Sequence, residues 1–160
     1  MNKEEIYAFL NDKGIRYEVT EHKAVFNMSE LSYIYLPYPE SEAKNLFVRD
    51  DKKRQYYLIT VRGDKRVDLK EFRKAQGTRP LSFASSDDLY DLLKLLPGSV
   101  TPLGLLNNES QSVIFYLDSD FRDGRIGIHP NDNTATLWMD SGDLVSLIEE
   151  HGNTVHIATL

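Results

Sequence analysis

Four groups of residues carry the chemistry open to this chain. The first is residues 127–136, Gly-Ile-His-Pro-Asn-Asp-Asn-Thr-Ala-Thr, where His129, Asn131, Asn133 and Thr134 crowd a short polar span. Ile126 and Ile128 before it, and Leu137, Trp138 and Met139 after it, have the apolar character of strands, so a sheet would hold this loop at both ends. Binding and catalytic groups concentrate on loops of that kind. The same composition also makes an ordinary Pro/Asn turn, with the asparagines bonding their own backbone and His129 filling a gap.

The second group is Gly98, Ser99, Val100, Thr101 and Pro102. Two prolines and two glycines between residues 97 and 104 preclude regular helix, and glycine lets backbone N–H groups come close to a ligand. A connector that only needs turns would look the same. Lys44 forms the third, at the root of a strand, where its ammonium must reach solvent, a carboxylate or a bound anion, or snorkel outward on its apolar stem. His22 with Phe26 and Met28 is the fourth, readable as the lining of a small pocket or as core around a hydrogen-bonded histidine.

The elements that must position these groups follow from period and punctuation. Asn2 and Glu5 have capping-box spacing ahead of Ile6, Phe9 and Leu10, predicting a helix over residues 3–13 stopped by Gly14. A strand follows over 15–19, then a short helix capped by Asn27 or Ser29 and ended near Pro37. Two apolar runs, 44–49 and 55–61, flank the charged Asp50, Asp51, Lys52, Lys53 and Arg54 and read as an antiparallel hairpin. Asp68 with Glu71 opens a helix around Phe72 that Gly77 stops. After a short strand at 81–84, Ser85 or Ser86 caps a helix whose Leu89, Leu92, Leu93 and Leu96 form its core stripe. Residues 113–117 suit a central strand, Asp140 and Asp143 cap a helix carrying Leu144, Leu147 and Ile148, and 154–158 form a closing strand. Short strands with at least one hairpin predict an α+β (mixed α/β) fold: a curled, barrel-like mixed sheet with helices packed outside.

The totals narrow the function classes. With 160 residues the chain fits one domain spanning 1–160. No cysteine means no disulfide framework, thiolate nucleophile or thiolate metal site. The four histidines lack the i, i+4 spacing of a zinc helix, so no metal and no cofactor is expected. No apolar run is long enough to cross a membrane, and the first residues begin a polar-faced helix, so a soluble, cytoplasmic protein is expected. The net charge of -6 argues against a nucleic-acid coat. Residues 44–74 nevertheless hold eleven Lys/Arg against five Asp/Glu, leaving eight against twenty elsewhere. An acidic body with one basic patch suits recognition of one end of a polyanion, although solvated surface charge would give the same count.

Taken in order, His22, the run Lys44-Asn45-Leu46-Phe47, Arg66-Val67-Asp68-Leu69, Ser82-Phe83-Ala84, Gly98-Ser99-Val100-Thr101-Pro102 and residues 129–136 make the chain resemble the YbaK/prolyl-tRNA editing domain family. It resembles in particular the free-standing members that act on alanyl-tRNA(Pro). The family's Gly-x-x-x-Pro loop corresponds to Gly98 and Pro102, its lysine to Lys44 and its late histidine to His129. Around His22 the pattern departs, with Lys23 where proline is usual and Asn27 where threonine is usual.

The resemblance implies hydrolysis of the ester between a mischarged amino acid and the terminal adenosine of tRNA(Pro), alanine foremost, in trans. Cysteine or another small amino acid, or a non-catalytic tRNA-binding regulatory module, are the alternatives. It implies catalytic roles for Lys44, Gly98 and His129. Substrate contacts would come from His22, Phe26, Met28, Ser99, Val100, Thr101, Pro102, Asn131, Asn133 and Thr134. Lys52, Lys53, Arg54, Arg66, Lys70 and Lys74 would meet the acceptor stem. The expected partners are the acceptor end of mischarged tRNA(Pro) and prolyl-tRNA synthetase, with the chain a monomer or weak homodimer and no membrane involved.

Overall fold

Asn2 opens the first helix as its spacing predicts: its side chain accepts from the Glu5 N–H while the Glu5 carboxylate accepts from the Asn2 N–H, satisfying two orphan donors of α1 (Lys3–Asp12). The computed structural model describes residues 1–24, 26 and 34–160. Met28 and the short helix expected after Asn27 or Ser29 lie outside the described residues. Strands β1 (Tyr17–Glu21), β2 (Ala43–Asp50), β3 (Tyr56–Arg62), β4 (Leu81–Phe83), β5 (Ile114–Asp118), β6 (Arg125–Ile128), β7 (Ala135–Asp140) and β8 (Val155–Ala158) are joined by α2 (Leu69–Gln76), α3 (Ser86–Leu93) and α4 (Ser141–His151).

Among the described residues these strands form two sheets, one ordered β1-β7-β6 and one ordered β4-β2-β3-β5-β8. The α+β class and the mixed sheet are as expected, because β3-β5 and β5-β8 pair in parallel while β2-β3 and β2-β4 are antiparallel. The curled, barrel-like closure is not. The larger sheet ends at β4 and β8, and the smaller one meets it through a single parallel bridge between Glu42 and Gly127. The reason lies in β2, which has β3 along its full length on one side. Its other side is shared between β4, paired with residues 48–50, and β6, which touches only its root. Neither neighbour continues the ladder far enough to close it.

One face of both sheets carries the main core. Ala43, Phe47, Leu58, Phe115, Leu117, Ile126, Ile128, Leu137 and Met139 are buried there with residues of α1, α3 and α4, among them Ile6, Leu10, Leu93, Leu144 and Ile148. A second core lies across the larger sheet, where Phe72 of α2 meets Val48, Ile59, Val61 and Tyr116, its ring edge-on to Tyr116 at 4.9 Å. Leu96 was expected in the stripe of α3 but is 65% exposed. Lys94 takes φ 57°, which ends the helix at Leu93, and Leu95 enters the core instead.

Candidate functional site

Strand alternation sorts the candidate residues by face. Ile126 and Ile128 point into the main core, so Gly127 and His129 point away from it; Ala43 and Phe47 do the same for Glu42 and Lys44. On β7, Leu137 and Met139 face the core and Thr136 and Trp138 the opposite side. Thr20 pairs with Thr136, and His22 follows two residues on. His22, Lys44, Thr136 and His129 therefore share the surface opposite the main core, at the junction of the two sheets. Gly127 makes that surface possible, since a Cβ there would come within 2.3 Å of the Trp138 ring. Tyr38 packs edge-on against the same indole at 5.3 Å.

The two histidines stand with ring centroids 6.4 Å apart. His22 Nδ1 lies 2.7 Å from the Lys23 carbonyl and its Nε2 2.9 Å from Thr136 Oγ1. His129 Nδ1 lies 3.0 Å from the Ala135 carbonyl. A carbonyl only accepts, so both rings carry hydrogen on Nδ1, and in the neutral form each Nε2 is the accepting nitrogen. Burial pushes the His129 pKa below its ordinary value, partly opposed by the bond to Ala135 and reinforced by His22. His129 is thus a neutral imidazole at physiological pH, with Nε2 as a base or hydrogen-bond acceptor.

Residues 98–102 reach this pair through Thr101, whose buried hydroxyl donates to the His129 carbonyl at 2.7 Å. Thr101 also precedes the 3-10 turn Pro102–Asn107, so Pro102 anchors the loop from within a buried element. Gly98 has φ +90°, and a Cβ there would lie 2.7 Å from the Phe26 ring and 3.3 Å from Asn133 Nδ2. That close approach brings Gly98, Phe26 and Asn133 together. The Ser99 N–H is bonded to the Leu96 carbonyl, which leaves any embrace of a ligand to the N–H groups of Gly98, Val100 and Thr101.

The rest of the 129–136 loop is held by side chains that its composition only partly announced. Asp132 Oδ1 accepts from the Thr134 N–H at 2.8 Å and from the Thr134 hydroxyl. The Thr134 hydroxyl and the backbone bond that Thr134 donates hold the Asp132 carboxyl below its usual range, aided by Lys3. Lys3 donates to Thr134 Oγ1 at 3.1 Å and to Glu21 at 3.0 Å, while the Thr134 carbonyl accepts from the His22 N–H at 2.9 Å. Asn131, at φ 61°, donates to the Met1 carbonyl at 2.9 Å. Lys3, Asp132 and Thr136 are the positioning residues that sequence reasoning missed. Asp132 was findable, because an Asp two residues before a Thr is the spacing of an Asx turn.

Lys44 stands apart from this cluster. Glu42 and Gly127 are bridged in parallel, so Lys44 and His129 each lie two residues further along, but the Lys44 ammonium donates to the Lys65 carbonyl. Lys65 in turn pairs with Asp118 at 2.5 Å and Asp120 at 3.2 Å. The basic residues are also divided. Lys52, Lys53 and Arg54 are exposed at the hairpin tip, where Asp50 Oδ1 accepts from the N–H groups of Lys52 and Arg54. At about 3.3 Å per residue, the tip is roughly 25 Å from Lys44. Arg66 is near the root of the hairpin, and Lys70 and Lys74 are exposed on α2, which covers the same side of the larger sheet as Lys44.

The histidine pair, the threonine partners and the glycine loop all lie within residues 22–147, which match the aminoacyl-tRNA editing domain family. The chain belongs to that family, in its YbaK/ProX-like prolyl-tRNA trans-editing branch, and is homologous to aminoacyl-tRNA editing hydrolases. It is 38% identical over 154 residues to the prolyl-tRNA editing protein ProX of Acetoanaerobium sticklandii, covering 95% of this chain and 93% of that one. The prolyl-tRNA synthetase associated domain-containing protein 1 of Bos taurus is 33% identical over 145 residues, covering 88% and 84%. A crystal structure proposed to be a trans-editing enzyme for prolyl-tRNA synthetase superposes with a TM-score of 0.69 at 20% identity, covering 97% and 94%, and shares the fold. No helix of the described residues is long and apolar enough to cross a membrane.

Proposed function

We propose that the chain, acting as one editing domain over residues 1–160, hydrolyses the ester of alanyl-tRNA(Pro) in trans. The observation that carries this reading is the Thr101 hydrogen bond to the His129 carbonyl, which joins two sequence-distant loops and the His22–His129 pair into one site. An aminoacyl ester is already activated, so it needs a positioned water and donors at the developing oxyanion more than a strong nucleophile. Water adds to the ester carbonyl, the bond to the ribose oxygen breaks, and free amino acid and tRNA leave. In this reading N–H groups of the 98–102 loop face the oxyanion and His129 Nε2 holds the terminal adenosine or the ester. Lys44 meets the acceptor-end phosphate, which would draw its ammonium from the Lys65 carbonyl.

Editing of this kind is needed because a synthetase pocket built for proline gains only about 1–3 kcal/mol against a smaller side chain. Here Phe26, beside Gly98, would limit the size of the amino acid admitted. The partners are the acceptor end of mischarged tRNA(Pro) and prolyl-tRNA synthetase. A panel of alanyl-, cysteinyl-, seryl- and prolyl-tRNA(Pro) tests the reading: alanyl ester should be cleaved fastest and prolyl ester spared. Equal rates on alanyl and cysteinyl esters would remove the narrow specificity, and four intact esters would remove the enzyme.

The separation of the basic residues gives a second expected result. Neutralising Lys52, Lys53 and Arg54 together should weaken tRNA binding and lower the slope of log affinity against log salt by up to about 3, one phosphate contact per charge. Filter binding from low to moderate salt measures this. An unchanged slope would put the acceptor stem on Arg66, Lys70 and Lys74 instead.

A further inference from the structure

One group on the site-bearing face has no task in the scheme above. Glu42 is 6% exposed, its Oε2 is buried, and no hydrogen bond reaches that oxygen. A buried, unpaired carboxyl is a persistent cost to a fold, and such costs concentrate where a ligand later removes them. Its place is specific. Glu42 is the residue of the larger sheet bridged to Gly127, its own carbonyl accepts from the Gly63 N–H at 2.8 Å, and its side chain points to the face of Lys44 and His129. Paired strands lie about 4.8 Å apart and two residues span about 6.6 Å, so the backbone positions of Glu42 and His129 are roughly 8 Å apart, a separation on the scale of an aminoacyl ester.

The substrate class brings one obligatory charge to the reacting carbon, the α-ammonium group. In a site sheltered from water that cation needs an anionic partner. The described residues of this face offer few. His22 and His129 are imidazoles and Lys44 is a cation. Asp132 already holds Thr134 and faces Lys3, and Glu18 accepts from the Tyr38 hydroxyl at 2.8 Å. We propose that Glu42 is a substrate-binding residue, its unpaired carboxyl receiving the α-ammonium group of the aminoacyl ester. This inference rests on the deacylase reading and adds to it a requirement for a free amino group. Burial pushes the Glu42 pKa up to about 8, and an arriving cation favours the ionised form and reverses that shift.

The test compares the parent protein and Glu42→Gln on alanyl-tRNA(Pro) and N-acetyl-alanyl-tRNA(Pro), with thermal melting to verify folding. The parent should prefer the free-amine ester. Glu42→Gln should lose about a hundredfold in kcat/KM on that ester, mostly through KM, and keep the parental rate on the N-acetyl ester. A parental rate of the variant on alanyl-tRNA(Pro) overturns the proposal while leaving the deacylase reading intact. An equal loss on both esters also overturns it, assigning Glu42 a structural role. If the parent cleaves neither ester, the deacylase reading fails and this proposal falls with it.

Discussion

Glu42→Gln is expected to gain stability over the parent as pH rises from 4.5 to 7, by about 3 kcal/mol. The unfolded carboxyl releases its proton near the ordinary value of 4.5, whereas burial in the folded chain holds it to about 8. Between those values the folded state binds more protons than the unfolded one, so stability is fully present below 4.5 and is lost as pH rises through 8. Glutamine does not titrate, so the variant lacks this slope. At about 1.4 kcal/mol per pH unit, the difference accumulates to about 3 kcal/mol at pH 7 and levels off above pH 8. Urea unfolding of both proteins at pH 4.5, 6, 7 and 8.5 measures the difference directly, and the other carboxylates cancel from it. Parallel stability curves would mean that Glu42 ionises normally in the fold. A variant that is both more stable and less active would show a group retained for binding at the expense of folding, the trade that active sites commonly make.

Glu42 also marks where sequence reading stops. Among Ser41, Glu42, Ala43 and Lys44 it reads as one more surface carboxylate, yet in the fold it is buried beside the long-range bridge to Gly127. Local signals were legible because local chemistry decides them. Asn2 with Glu5, Asp68 and Asp140 cap their helices as spacing predicts, and the charged tip between β2 and β3 gives a hairpin. Long-range pairing was not legible. Nothing in residues 17–21 says that they lie beside residues 135–139, or that β2 shares one side between β4 and β6 and so leaves the sheet open. Leu96 failed for a reason between the two scales: its helical spacing is right, but the left-handed turn at Lys94 comes first. In the site, residue types pointed to His22, Thr101 and His129 as candidates. Their assembly depends on hydroxyl and carbonyl partners, Thr136, Ala135 and the His129 backbone, that no spacing rule identifies.

Replacing His129 separates holding from proton transfer. His129→Ala should lower kcat/KM on alanyl-tRNA(Pro) by about 10²- to 10³-fold, because it removes the group at Nε2 and the Nδ1–H bond to Ala135 that fixes the loop. His129→Gln can set an amide oxygen near the position of Nε2, an acceptor that binds a ribose hydroxyl but cannot take its proton at neutral pH. If His129 positions the terminal adenosine, glutamine should recover at least about tenfold of what alanine loses. If it acts as general base, glutamine should be as poor as alanine. The pH profile supplies an independent measure. Burial lowers the His129 pKa, so a requirement for the neutral ring places the acid limb of the parent's kcat/KM below the ordinary imidazole value of 6.5, with a flat rate above it. In His129→Gln that limb should vanish while the recovered rate persists. A limb that stays in place in the glutamine variant would assign it to another group and detach His129 from the pH dependence, leaving His22, 6.4 Å away, as the ring to replace next.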